Sequence, residues 1–281
     1  MRMTDGAARG IGPRKAAVLG SPVTHSKSPA VHRAAYAALG LDGWTYDAID
    51  TGADELAARV GGSGPEWVGF SVTMPGKLAA LAFADERTRR AELIGSANTL
   101  VRTADGWRAD CTDVDGMTGA LAAAGVPATA ARAVVIGAGG TALPTVAALA
   151  EAGVDEVSVV ARSAERAAGV LELAEKLGMS ARVIGFDADA VLRSACAEAD
   201  VTVSTVPAPA AESLIPAVIG TGRLVDVIYD PWPTPLAAAV SAAGGTVVGG
   251  LVMLLNQAYS QVEQFTGRQA PKAAMAAAVG L

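Results

Sequence analysis

The stretch from Ala133 to Ala150, AVVIGAGGTALPTVAALA, restricts the fold more than any other part of the 281-residue chain. Its apolar, β-branched start reads as a strand, the small residues after it as a sharp turn, and the Ala-rich remainder as a helix. In such a turn the first glycine, Gly137, permits the reversal and Gly139 lets the backbone approach a pyrophosphate. Ala142, small at the third position, allows helix and strand to pack closely. The N–H groups that open the helix have no intrahelical partner and favour an anion. Gly137, Ala138, Gly139, Gly140 and Thr141 are therefore candidates for holding a dinucleotide. The plain alternative is a glycine turn without a ligand.

The end of the following strand selects the cofactor. An Asp or Glu there would accept hydrogen bonds from a ribose 2′-hydroxyl and repel a 2′-phosphate. Here Val157–Val160 runs into Ala161-Arg162-Ser163, with Arg166 close behind and no carboxylate before Glu165. Forked guanidinium donors suit phosphate, so Arg162, Ser163 and Arg166 favour NADP. Otherwise the two arginines are solvated side chains at a helix start.

Around this unit, short apolar runs alternate with longer amphipathic segments, which predicts an α/β fold with mostly parallel sheets. A first series has strands at Ala16–Gly20, Trp44–Ile49 and Trp67–Val72, with helices at Pro29–Leu39, Ala53–Val60 and Gly76–Ala84. A second has strands at Ala133–Ile136, Val157–Val160, Ala181–Ile184, Val201–Ser204, Leu224–Ile228 and Thr246–Val248. The chain passes between the two units near Gly125-Val126-Pro127, and two further helical patterns in Leu251–Ala278 can pack on either. Leu236–Leu255 carries no charge and has the length of a membrane span, but Gly244-Gly245 and Gly249-Gly250 cut it into helix end, strand and helix start.

Composition excludes several classes. The balance of 22 basic against 28 acidic side chains, without a basic cluster, argues against nucleic-acid binding. Two cysteines and two histidines leave no ligand set for a structural zinc, so no metal is expected. Cys111 and Cys196 read as free thiols of a reducing, cytoplasmic setting. Met1–Pro13 has no apolar segment and reads as a frayed tail rather than a secretory signal.

The first unit holds polar residues where strands and helices do not need them. His25-Ser26-Lys27-Ser28-Pro29 puts two hydroxyls at a helix entry, where Ser28 as N-cap before Pro29 would explain only one. In GFSVTMPGK a strand ends in Ser71 and Thr73, and Pro75 stops it before Lys77, at the kind of strand end where open α/β sheets collect ligands. Asn98 in SANTL and Asp113 in DCTDVDG follow.

Taken in order with GAGGTA, ARSAER, DVIYDPWPTPL, GGLVMLLNQA and QFTGR, these motifs resemble the shikimate dehydrogenase family over nearly the whole chain. The resemblance implies a substrate domain of residues 14–115 completed by residues 251–281, and a Rossmann-like NADP-binding domain of residues 116–250. It implies NADPH-dependent reduction of 3-dehydroshikimate to shikimate by a monomer or homodimer without nucleic-acid or membrane partners. Ser26 and Ser28 would hold the substrate carboxylate, Thr73, Asn98 and Asp113 its ring oxygens, and Lys77 would pair with Asp113 in catalysis. Tyr229 and Gln257 would complete the pocket, and Gly250 would approach the nicotinamide. On residues alone, Tyr229 can be a strand-end core aromatic, Gln257 an outward-facing helix residue, and Lys77–Asp113 a surface ion pair. Ser71 and Cys111 stand where the family usually has Asn, which weakens the expected contact from Ser71 and the support for the Asp113 loop. The STVPA segment, Ser204–Ala208, also departs from the family's usual polar strand end. A partly buried Lys77 would stabilise charge on the carbonyl oxygen and supply its proton, with Asp113 favouring the ammonium. Two other readings share these motifs: a quinate/shikimate dehydrogenase with relaxed choice of substrate or cofactor, and a non-catalytic sensor of a metabolite or NADP.

Overall fold

The computed structural model describes residues 13–281, so the expectation for Met1–Pro13 lies, Pro13 apart, outside the described residues. Six strands form a first sheet: β1 (Lys15–Gly20), β2 (Thr45–Asp50), β3 (Trp67–Val72), β4 (Glu86–Arg87), β5 (Thr99–Arg102) and β6 (Trp107–Asp110). Helices α1 (Ser28–Ala38), α2 (Leu56–Gly61), α3 (Lys77–Phe83) and α4 (Arg89–Ile94) connect them, and α5 (Asp113–Ala123) leaves the sheet. The strand order is β2-β1-β3-β5-β6-β4, with β1 parallel to β2 and β3 but β5 antiparallel to both β3 and β6.

The antiparallel hairpin β5–β6 has no counterpart in the sequence reading. Each strand is only four residues long and mixes Arg102, Arg108 and Asp110 with apolar residues, too short and too charged for a period of two to register. It matters for the site, because the Thr99–Asp110 pairing sets Asn98 beside the turn that leads to Asp113.

The second sheet contains β7 (Arg132–Ile136), β8 (Glu156–Ala161), β9 (Ser180–Gly185), β10 (Val201–Ser204), β11 (Arg223–Asp226) and β12 (Thr246–Gly249). All its pairings are parallel, in the order β12-β11-β10-β7-β8-β9. This is the doubly wound order of dinucleotide-binding sheets, with the switch point between β7 and β10. The connecting helices are α6 (Ala142–Glu151), α7 (Ala164–Lys176), α8 (Ala190–Glu198), α9 (Ala208–Glu212), α10 (Ile215–Val218) and α11 (Pro235–Ala242). Because both faces are covered, the strands read as continuous apolar runs, and Val134, Val135, Val159, Val160, Val203 and Val225 are all buried. The expected strand Leu224–Ile228 ends two residues early. The Asp226 carboxylate accepts from the Ile228 N–H at 3.2 Å and from the Thr234 hydroxyl at 2.7 Å, turning the chain out of the sheet.

The chain closes with α12 (Gly250–Thr266) and α13 (Lys272–Ala277). Leu254, Leu255, Ala258, Val262 and Phe265 of α12 join the core between α1 and the first sheet, while Met253 joins that of the second. α12 therefore touches both units, where the residues alone left either open and the resemblance implied the first. It lies close against α5, where a Cβ on Gly116 would come within 2.7 Å of the Met253 carbonyl oxygen, so only glycine permits this approach. Among the described residues no helix is long and apolar enough to cross a membrane, in keeping with the glycine breaks in Leu236–Leu255.

Candidate active site

The C-terminal ends of β1 and β3, the start of α5 and the first turns of α12 enclose a cleft of about 270 Å³. That volume lies just below the range of ~300–1,000 Å³ typical of pockets for drug-sized ligands and suits a small molecule. Ser26, Ser28, Ser71, Thr73, Lys77 and Asp113 line one side, and Tyr229, Gly250 and Gln257 the other. Asn98 stands directly behind them.

Lys77 opens α3, and its Nζ lies 2.5 Å from Asp113 Oδ2. The side chains are 17% and 5% exposed, so this is not the surface ion pair that residues alone allowed. Burial works against the Lys77 ammonium, but the charge of Asp113 and its hydrogen bond outweigh it and hold the lysine pKa above its ordinary 10.5. Asp113 is the first residue of α5, where a carboxylate also meets the positive end of the helix dipole.

Asn98 orients the pair. Its backbone is fixed from both sides, its carbonyl accepting from Val72 N–H at 2.7 Å and its N–H donating to the Asp110 carbonyl at 3.1 Å. The side-chain Oδ1 accepts from the Thr112 N–H at 2.7 Å and from the hydroxyls of Thr99 and Thr112. Nδ2 then faces Asp113 Oδ1 at 3.0 Å and Gln257 Oε1 at 2.7 Å and donates to both. Gln257 thus points into the cleft rather than outward. Cys111 is fully buried and has no polar side-chain contact with this loop, whose support comes from Asn98 and from the Asp110 carboxylate that accepts the Cys111 N–H. Asp110 is itself clamped by Arg90 through two hydrogen bonds of 2.6 Å, so the turn before Asp113 stays fixed without an amide at position 111.

Ser28 is not a helix cap: Lys27 holds the cap position, and the Ser28 N–H donates to Ser26 Oγ at 3.3 Å. Both serines keep hydroxyl capacity toward the cleft. Ser71 is engaged from behind, accepting from the Tyr46 hydroxyl at 2.6 Å and donating to Gln261 Oε1 at 2.8 Å. Gln261 also meets His32, which stacks on Tyr46 at 3.9 Å between ring centroids and is wholly buried. Burial, partly offset by the Gln261 hydrogen bond, lowers the His32 pKa from 6.5 to about 3. The unfolded chain binds a proton there that the folded one refuses, so this part of the stability is complete above pH 6.5 and falls as pH drops toward 3. It falls by about tenfold in the folded-to-unfolded ratio per pH unit. Urea midpoints at pH 7 and pH 5 should therefore differ more in the parent than in His32→Phe. An unchanged difference would remove His32 as the cause.

A second cleft of about 450 Å³ lies over the turn after β7, at the switch point of the second sheet. Gly137 takes φ 107°, a conformation open to glycine, and a Cβ there would meet the Thr205 hydroxyl at 2.6 Å. Around Gly139 and Gly140 an added Cβ would meet nothing within 4 Å, so the turn is open where a phosphate would lie. Ala142 is buried, as close packing of helix on strand requires. Gly137, Ala138, Gly139, Arg162 and Arg166 line this cleft, and the Arg162 guanidinium lies over the Phe186 ring at 5.5 Å. Ser163 caps α7 by accepting the Arg166 N–H at 3.3 Å, which leaves its own proton free for an acceptor. Thr141 and Gly250 line the first cleft instead, and a Cβ on Gly250 would strike the Val227 carbonyl at 2.1 Å, so chain crossing alone demands that glycine. Phe186, Val206 and Pro207 form an apolar wall absent from the sequence reading. The signals were the aromatic directly after β9 and the apolar STVPA segment after β10.

Three family models match the chain: the shikimate dehydrogenase substrate binding domain over residues 18–100, shikimate/quinate 5-dehydrogenase over residues 120–215, and the shikimate 5′-dehydrogenase C-terminal domain over residues 250–279. The NADP(+)-dependent shikimate dehydrogenase of Methanopyrus kandleri is 36% identical over 271 residues, covering 93% of each chain. The crystal structure of Mycobacterium tuberculosis shikimate dehydrogenase superposes with a TM-score of 0.90 at 57% identity, over 95% of this chain and 99% of that one. The Thermus thermophilus enzyme, solved with NADP(H) and shikimate, gives 0.79 at 32% identity over 94% and 98%.

Proposed function

The chain belongs to the shikimate dehydrogenase family, and from that premise we propose that its two clefts serve one reaction, the reversible NADPH-dependent reduction of 3-dehydroshikimate to shikimate. The observation that carries the assignment of roles is the buried Lys77–Asp113 pair, opening into a small cleft and oriented by Asn98.

The open glycine turn and the two arginines at the end of β8 fit NADP: backbone N–H groups of the turn would hold the pyrophosphate, and Arg162, Arg166 and the free Ser163 proton the 2′-phosphate. When bound, NADPH supplies the hydride. The chain's own residues do the rest. Ser26 and Ser28 bind the substrate carboxylate, Thr73 and the free Nε2 of Gln257 hold ring oxygens, Asn98 fixes Gln257 and Asp113 from behind rather than touching the ring, and Tyr229 closes the far wall. As the carbonyl oxygen gains negative charge, the Lys77 ammonium stabilises it and passes it a proton. A raised lysine pKa does not obstruct this step, since the developing alkoxide is far more basic than an amine. In the oxidation direction Lys77 must first lose its proton, so Asp113 makes that direction depend on high pH. The same reading puts the enzyme in the cytoplasm, where the buried thiols of Cys111 and Cys196 stay reduced.

Nicotinamide absorbance on mixing the protein with shikimate or quinate and with NADP+ or NAD+ tests the assignment in four rates. Turnover is expected with shikimate and NADP+. Folded protein that turned over none of the four pairs would favour the sensor reading.

A further inference from the structure

Gln261 lies one turn beyond Gln257 on α12, is 3% exposed and borders the substrate cleft. Its amide can sit only one way round. Nε2 lies 3.4 Å from the Asn98 carbonyl oxygen, which can only accept, and donates to Thr99 Oγ1 at 3.0 Å. Oε1 therefore faces Ser71 Oγ at 2.8 Å and His32 Nε2 at 3.3 Å. An amide oxygen cannot donate, so the single proton of the Ser71 hydroxyl must go to Gln261. The buried Tyr46 hydroxyl, 2.6 Å away, then donates to Ser71. A serine oxygen has one proton and two lone pairs, so one lone pair remains for the cleft and no proton.

We propose that Gln261 is a positioning residue that takes the Ser71 proton, so that Ser71 offers the cleft an acceptor alone and selects a substrate hydroxyl over a carbonyl or carboxylate oxygen at that point. The inference rests on the function proposed above, in which the ligand carries ring hydroxyls that the reaction leaves intact. Through Thr99 and Asn98 the same amide continues to Asp113, with every donor pointing toward the carboxylate. An amide at position 71 could turn either end to the substrate, whereas this serine cannot.

The test is steady-state kinetics with shikimate and with its 4-deoxy and 5-deoxy analogues, for the parent, Gln261→Met, Gln261→Glu, Ser71→Ala and the Gln261→Met/Ser71→Ala double variant. Gln261→Met should raise KM for shikimate about tenfold, the scale of one lost hydrogen bond with its partner left free, and leave kcat within about threefold. One deoxy analogue should show the raised KM already in the parent and little further change in the variant. The double variant should be no worse than either single one. Gln261→Glu, assayed at a pH low enough to keep this buried carboxyl neutral, still accepts from Ser71 with one oxygen and donates toward Thr99 and the Asn98 carbonyl with the other, and should keep KM within about threefold of the parent at that pH. Equal losses on all three substrates, a fall in kcat at constant KM, or additive effects in the double variant would overturn the inference. If Gln261→Met does not fold, Ser71→Ala made within Gln261→Glu decides, since its cost must again vanish for one analogue. A parent that does not turn over shikimate sinks the underlying function instead.

Discussion

Lys77→Ala should oxidise shikimate about 10²–10⁴-fold more slowly than the parent, with KM changed by less than about threefold. The expectation follows from what the lysine touches. Its Nζ meets Asp113 at the edge of the cleft, while Ser26, Ser28, Thr73 and Gln257, which would bind substrate, contact other atoms and keep their places. The loss should therefore fall on the step in which charge develops on oxygen. Because Asp113 holds the lysine pKa above 10.5, the parent's oxidation rate should climb with pH through the neutral and alkaline range, and the variant should lose that climb. Stability follows the same sign. A raised folded pKa contributes fully below pH 10.5, and the contribution fades only as pH rises through the folded value. Removing one partner of so buried a pair destabilises the fold by about 3–5 kcal/mol, so folding at the assay temperature has to be verified by circular dichroism. Lys77→Met, which keeps the packing of the stem, serves as the second variant. A folded variant with parental turnover would remove Lys77 from the mechanism.

The double variant Arg162→Ala/Arg166→Ala should raise KM for NADP+ about 10²-fold or more while changing KM for NAD+ only a few-fold. A hydrogen bond to a charged group contributes roughly 1.5–3 kcal/mol, and two are lost only where a 2′-phosphate is present. Arg162 lies over Phe186 and both arginines border the cleft at the end of β8, with the Ser163 cap between them. No carboxylate stands at that strand end to receive a ribose hydroxyl, so the variant should lose preference without becoming a good NAD+ enzyme. The ratio of kcat/KM for the two cofactors is the measurement. Equal losses on both would mean that the arginines act as a general positive field or hold α7 in place, and not as a 2′-phosphate clamp.

These outcomes bear on what can be read from a linear chain. The glycine turn after β7, the arginines after β8 and the strand series around them are local: turn conformation, helix start and strand run each need only neighbouring residues, and all appear where the sequence puts them. The short hairpin β5–β6 is not local in this sense. Its two four-residue strands are held by pairing with β3 and with each other, and no internal period reveals them. Yet that hairpin brings Asn98 beside Thr112 and Asp113. Gln261 escaped for a similar reason, since a glutamine one helical turn past Gln257 becomes meaningful only when α12 folds back across 190 residues onto Ser71. The sequence by itself determined the α/β class, the dinucleotide turn, the family and the identity of the Lys77–Asp113 pair. Tertiary structure alone decided that the pair is buried, that Arg90 and Asn98 stand in for an amide at Cys111, and which way the Ser71 proton points. Burial and hydrogen-bond direction depend on partners distant in the chain, and local sequence carries no record of them.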